Sequence, residues 1–166
     1  MTFADLSTGE SAFVDANAFI YAYMPEPVLG PPCFRFLERI ANGEVRGFTS
    51  THVLSDVSHR LMILEACATF GWPVAGAVGR LKRDPDCILQ LGRFRAAIDE
   101  IVATGIRMIP IRAQNVSTAA DLSRRCGLLS GDALIVALMN SEGLANLASN
   151  DADFDRVPGI VRFAPL

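Results

Sequence analysis

Lysine is nearly missing from this chain of 166 residues: Lys82 stands alone beside fourteen arginines. Arginine offers a planar fork that matches phosphate oxygens, whereas lysine is a point charge. The bias marks no function by itself, because arginine also predominates in GC-rich genomes. Histidine is scarce, with only His52 and His59. The four cysteines, Cys33, Cys67, Cys87 and Cys126, form no Cys-x-x-Cys pair. That excludes the usual zinc frameworks and leaves them as small buried apolar residues or surface thiols. No apolar run reaches the roughly 18 residues of a membrane span. Met1 to Glu10 carries two acids and no base, unlike a signal or transit peptide. The expectation is a cytoplasmic protein without membrane attachment. Positive charge is not in excess: the net charge is −3, which argues against a general nucleic-acid binder. Aromatic platforms for stacking single-stranded RNA are not evident. Repeats and low-complexity tracts are absent.

What is present is a globular composition, 51% hydrophobic and 20% charged. The length suits one domain over residues 1–166. Short apolar runs predict strands at Ser11–Val14, Val45–Thr49, Ile106–Ile111, Leu144–Ala148 and Ile160–Phe163. Helical periodicity fills the intervals. It predicts helices over Ala16–Met24, Pro32–Asn42, Ser50 or Thr51 to Phe70, Val74–Leu81, Ile88–Thr104, Ala113–Cys126 and Asp132–Glu142. In the fifth of these, Leu91, Phe94, Ile98, Ile101 and Val102 are expected to face inward. The last is apolar almost all round, so it should be buried on most sides. Strands alternating with helices imply a mostly parallel sheet of about five strands, covered on both faces. Ligands of such sheets bind past the carboxyl ends of the strands, where strand order reverses.

Four aspartates occupy positions that matter in that architecture. Asp15 ends the first strand in Phe13-Val14-Asp15-Ala16-Asn17. Asp56 lies in the early turns of the helix after Phe48-Thr49-Ser50. Asp132 opens a helix in Ser130-Gly131-Asp132-Ala133-Leu134, and Asp151 follows the fourth strand in Ser149-Asn150-Asp151-Ala152-Asp153-Phe154. Each adjoins residues that read as core, and a carboxylate there is costly unless paired or holding a metal. Without the four, the remainder of the chain carries +1. If the first and fourth strands are neighbours at the reversal, Asp15 and Asp151 enter one crevice.

These motifs, in this order and spanning roughly Phe13 to Pro165, resemble the PIN-domain nucleases, and within them the VapC-type toxins of bacterial toxin–antitoxin pairs. The resemblance implies a PIN-like α/β/α sandwich. It implies a metal-dependent endoribonuclease that hydrolyses RNA phosphodiester bonds with Mg²⁺ or Mn²⁺. Carried onto this chain, the family acids fall on Asp15, Asp56, Asp132 and Asp151, with Asp15, Asp132 and Asp151 as metal ligands. The second position is usually Glu, so Asp56 is a departure. Its carboxylate falls short by about 1.5 Å, one carbon–carbon bond. Ligation there can pass through water, with weaker activity. The resemblance also implies a homodimer and a small antitoxin whose basic tail neutralises the acidic pocket. A divalent ion would offset the anionic charge of a phosphodiester, polarise its oxygen and lower the pKa of bound water.

Asn17 and Ser149 are candidates to hydrogen-bond the ligands or a phosphate oxygen. Asp153 can substitute for Asp151 or cap the turn before Phe154. Arg80, Lys82 and Arg83, with Arg93 and Arg95, can guide an RNA backbone toward the acids or simply end a solvated helix. Each acid also has an ordinary reading: helix first turn for Asp132, turn residue for Asp151 and Asp153, partner of Arg60 for Asp56. A His52–Asp56–His59 metal cluster is conceivable from the spacing. Two rivals remain: a weak or inactive PIN module that binds RNA or a protein, and another metal phosphohydrolase, acting on small phosphoesters or DNA. The haloacid-dehalogenase form of the latter lacks its second acid, since position 17 is Asn.

Overall fold

The computed structural model describes residues 1–166. Five strands form one parallel sheet in the order β3-β2-β1-β4-β5. They are β1 (Ser11–Val14), β2 (Arg46–Ser50), β3 (Arg107–Ile109), β4 (Asn146–Ala148) and β5 (Val161–Phe163). β1 is central and apolar on both faces, with Ala12, Phe13 and Val14 fully buried, as a strand covered on both sides must be. Its register sets Phe13 opposite Phe48 on one side and Leu147 on the other.

Two helix groups cover the sheet. α1 (Ala16–Tyr23), α2 (Gly30–Ala41), α3 (Thr51–Phe70) and α6 (Arg93–Ala103) pack with one another; α7 (Ala113–Cys126) and α8 (Ser130–Glu142) pack together separately. Right-handed crossovers explain the split. The chain moves outward from β1 to β3, then returns past β1 to β4, and reversal of direction carries its helices to the other face. In α8, Ala133 to Met139 are all buried, as its apolar sequence requires. Gly47 of β2 is glycine for space: a Cβ there would stand 2.8 Å from the Ile40 side chain of α2. One cluster of 36 buried residues binds sheet and helices together. No helix is long and apolar enough to cross a membrane.

The segment after α3 departs from expectation. The single helix expected over Ile88–Thr104 is broken into α5 (Asp86–Leu89) and α6, after α4 (Ala77–Arg83). Leu91 is buried in a satellite cluster with Ala66, Leu81 and Cys87, and the chain turns at Gly92 to reach it. Glu65 of α3 receives the exposed N-terminus of α6. Its carboxylate accepts the backbone N–H of Gly92 at 2.9 Å, Arg93 at 3.0 Å and Phe94 at 2.8 Å. Val102, expected inside, is 54% exposed, and Ala97 is buried instead. Pro31 and Pro32 fall within the first turn of α2, where the missing N–H costs nothing. All four cysteines are free thiols.

Candidate active site

Asp15 stands where strand order reverses, between β1 and β4. Its backbone N–H donates to the Ala148 carbonyl at 3.1 Å, prolonging the β1–β4 ladder by one bond. The side chain then has two tasks. Oδ1 accepts the Ala16 N–H at 2.6 Å and so caps α1. Oδ2 accepts the Asn17 amide at 2.6 Å and the Ser149 hydroxyl at 2.7 Å. The ordinary capping role and the site role therefore coincide on one carboxylate.

Ser149 is fully buried. Its Oγ gives its one proton to Asp15 and accepts the Asn17 amide at 2.9 Å and the Asp151 N–H at 3.0 Å. Asn17 Oδ1 accepts the Asn150 N–H at 3.0 Å. Asn17 and Ser149 thus orient Asp15 and tie it to the loop that carries Asp151. Asp151 Oδ1 accepts the Asp153 N–H at 2.8 Å, capping the short 3₁₀ turn Ala152–Arg156. That cap was one of the two roles expected of Asp153. Asp153 is instead exposed and paired with Arg156.

Asp15 and Asp132 are each acted on by acids from other segments. Burial pushes the Asp15 carboxyl up to about 6; Asp132 and Asp151 add to the rise, while the bonds from Ser149 and Ala16 oppose it. Burial also raises Asp132, reinforced by Asp151 and Asp153 and opposed by Arg156. Each negative charge makes the next carboxyl harder to ionise, a cost that a divalent ion would offset.

Asp56 is half-buried in α3. The Asp56–Arg60 ion pair is not formed: the ion pairs present join other residues. His52 lies at the rim, its Nε2 3.8 Å from where a Gly131 Cβ would stand. His52 and His59 are exposed, and no three His, Cys, Asp or Glu side chains gather around one point, so the His–Asp–His cluster is not formed. All candidate donors in the acidic group are oxygens, which fits a hard cation. Mg²⁺ ordinarily keeps several waters and takes one or two carboxylates, so a full protein cage is not required for it.

The basic run lies elsewhere. Arg80, Lys82 and Arg83 end α4, which packs on α3. Leu81 of α4 buries against Ala66, fifteen residues beyond the start of α3, or about 22 Å along a helix axis. Arg80 sits over the Trp72 ring at 5.4 Å. Arg93 approaches Glu65 at 3.9 Å, and Arg95 pairs with Asp99. The arginines beside the acids are others, Arg156 and Arg162. Arg156 bonds Asp153 and, at 3.2 Å, the Gly127 carbonyl ahead of α8. Arg162 binds Asp155 through two hydrogen bonds of 2.7 and 2.8 Å. Neither was singled out in the sequence; the i,i+3 spacing of Asp153 and Arg156 was the one local signal. Cavities of about 250 Å³ between α1, α3 and α6 and about 670 Å³ beside α2 contain none of these acids.

Comparison with known proteins bears on the family and the fold. Ribonuclease VapC13 of Mycobacterium tuberculosis is 28% identical over 131 residues, 78% of this chain and 82% of that protein. The crystal structure of VapBC2 from Rickettsia felis, bound to a DNA fragment from their promoter, superposes with a TM-score of 0.58. It is 17% identical, over 93% of this chain and 98% of that one. VapC20 of Mycobacterium tuberculosis, described as a Sarcin-Ricin loop cleaving toxin, gives a TM-score of 0.60. It is 19% identical, over 87% of this chain and 92% of that one. These two structures share the fold. The PIN domain family matches residues 12–160, a span from β1 to the threshold of β5 that takes in every acid described above. The chain belongs to the PIN domain family.

Proposed function

We propose that this protein is a divalent-metal-dependent endoribonuclease and the toxin of a type II toxin–antitoxin pair. The observation that carries the proposal is Asp15: a buried carboxylate at the strand-order reversal, acted on by Asp132 and Asp151 from two other segments. Its relatives support the substrate class and the role, since VapC13 is named a ribonuclease and VapC20 a Sarcin-Ricin loop cleaving toxin.

Asp15, Asp132 and Asp151 would hold Mg²⁺ or Mn²⁺, and Asp56 would act through water or a second ion. A bound ion of this kind supplies charge neutralisation and polarisation of the phosphoryl oxygen. The chain supplies the rest. Ser149 and Asn17 hold Asp15 in one orientation, and the turn at Asp151 holds the facing loop. Burial keeps Asp15 short of water, which strengthens its attraction for a cation. The whole chain acts as one nuclease domain, in the cytoplasm and as a homodimer. Its partner is a small antitoxin with a basic segment that occupies the acidic site. Arg80, Lys82 and Arg83 would meet only a substrate long enough to reach α4.

One observation favours a second reading, a PIN module that binds RNA or protein but cuts weakly. Asp56 is shorter than the usual Glu by one methylene group. One experiment separates the two. Purified protein is mixed with labelled structured RNA in Mg²⁺, Mn²⁺ or chelator, beside Asp15→Asn. The nuclease reading expects cleavage with metal, none in chelator and a loss of at least a hundredfold in the variant. Equal cleavage in chelator or in Asp15→Asn removes the metal mechanism. Binding without cleavage at high protein concentration selects the second reading.

A further inference from the structure

We propose that Arg162 is a positioning residue of the nuclease site, aligned by Asp155, and that it holds the loop bearing Ser149 and Asp151 against Asp15. The proposal rests on the reading of Asp15 and Asp151 as cation ligands.

Arg162 is the single charged residue of β5, between Val161 and Phe163. Its side chain is only 18% exposed. Nε and one terminal nitrogen bond the two oxygens of Asp155 at 2.7 and 2.8 Å. The other terminal nitrogen donates to the Ser149 carbonyl at 3.3 Å. The backbone repeats the link, since the Ser149 N–H donates to the Phe163 carbonyl at 2.9 Å. One planar group therefore joins the strand edge, the start of the loop and the 3₁₀ turn within it. Asp151 lies between the two anchored points, and its charge acts on Arg162.

The consequence runs through Ser149. Its hydroxyl touches both Asp15 and the Asp151 backbone, so a shift of its main chain moves two carboxylates relative to each other. The positive charge of Arg162 also bears on Asp151, which lessens the repulsion between those carboxylates. Lysine cannot reproduce this, because three directed bonds need a planar fork. Partners of this kind behind a metal ligand typically change metal affinity by roughly 10–100-fold.

The test uses the full chain with Arg162→Gln, Arg162→Lys and Asp155→Asn. Asp99→Asn, which breaks an exposed pair on α6, is the control. Thermal midpoint, Mn²⁺ dissociation constant by calorimetry, and kcat and KM on structured RNA are measured for each. The expected result is Mn²⁺ binding weakened roughly tenfold in Arg162→Gln and Asp155→Asn. In both, kcat falls while KM holds; Arg162→Lys is intermediate, and Asp99→Asn matches the wild type. Mn²⁺ affinity within twofold of wild type in either folded variant overturns the proposal. Loss of the fold in both Arg162→Gln and Asp155→Asn overturns it equally, because the pair then serves folding and not the site. A wild type that neither binds Mn²⁺ nor cleaves RNA removes the nuclease reading and this one together. An active wild type with indifferent variants removes this one alone.

Discussion

Asp15 carries a conflict between folding and function within one side chain. Its carboxyl is raised to about 6 in the folded chain from a reference value of 3.8, chiefly by burial. Below about pH 4 the group is protonated folded or unfolded, and it costs nothing. Between the two values the folded protein keeps a proton that the unfolded chain has released. Stability from this group is therefore lost as pH rises through about 6, by about 3 kcal/mol for a shift of two units. Asp15→Asn cannot ionise and escapes that loss. In chelator, the stability of the variant relative to wild type should improve by about that amount from pH 4 to pH 8. Denaturant titrations at the two pH values check it, and an unchanged difference refutes it. Asp56 makes the opposite case, a residue too short for its task. Asp56→Glu adds about 1.5 Å of reach and should raise cleavage several-fold at limiting Mn²⁺, whereas Asp56→Ala should lower it. No gain in the Glu variant would mean that this position is no longer part of the site.

At the scale of elements, the junction of α3 and α6 depends on one buried acid. Burial tends to raise the Glu65 carboxyl, but three backbone N–H groups, with Arg93 nearby, draw it below its ordinary value. Stability from this contact is present above the ordinary glutamate range and is lost as pH falls through the lowered value. Glu65→Ala leaves three donors at the start of α6 without their acceptor and should cost about 2 kcal/mol. Glu65→Gln keeps an acceptor and should cost less. Hydrogen exchange should show the loss first in α6 and in the satellite cluster of Ala66, Leu81, Cys87 and Leu91. Uniform loosening across the sheet would show that the junction is not a separate unit.

At the scale of the molecule, the acids are drawn to one end and the lone lysine lies far from them. Neutralising that end should stabilise the whole fold, because a cation that binds only the folded chain shifts the equilibrium by mass action. Mn²⁺ at a hundred times its dissociation constant contributes about 2.7 kcal/mol. For a chain of this length that is roughly 5–10 °C in thermal midpoint. Calorimetric scans with Mn²⁺ and with chelator should show the rise in wild type and its loss in Asp15→Asn. An equal rise in both would place the bound ions elsewhere.

The order of strands and helices was legible in the chain because it depends on local patterning. Ser11–Val14 can only be a buried strand, and Ala133–Met139 only a buried helix. That Asp15, Asp132 and Asp151 each follow or open such an element was legible for the same reason. The break at Gly92, the cap from Glu65, and Arg162 behind Ser149 were not. Glu65 lies 27 residues before the first N–H it receives, and Arg162 lies 13 residues beyond its carbonyl partner. No local period records such bonds. Nor could spacing along the chain show that Arg80 to Arg83 lie along α3 away from the acids, while Arg156 and Arg162 lie beside them. Burial, direction and distance belong to the packed molecule. They decide which charges meet, and hence which of the chain's many acids and arginines can do chemistry.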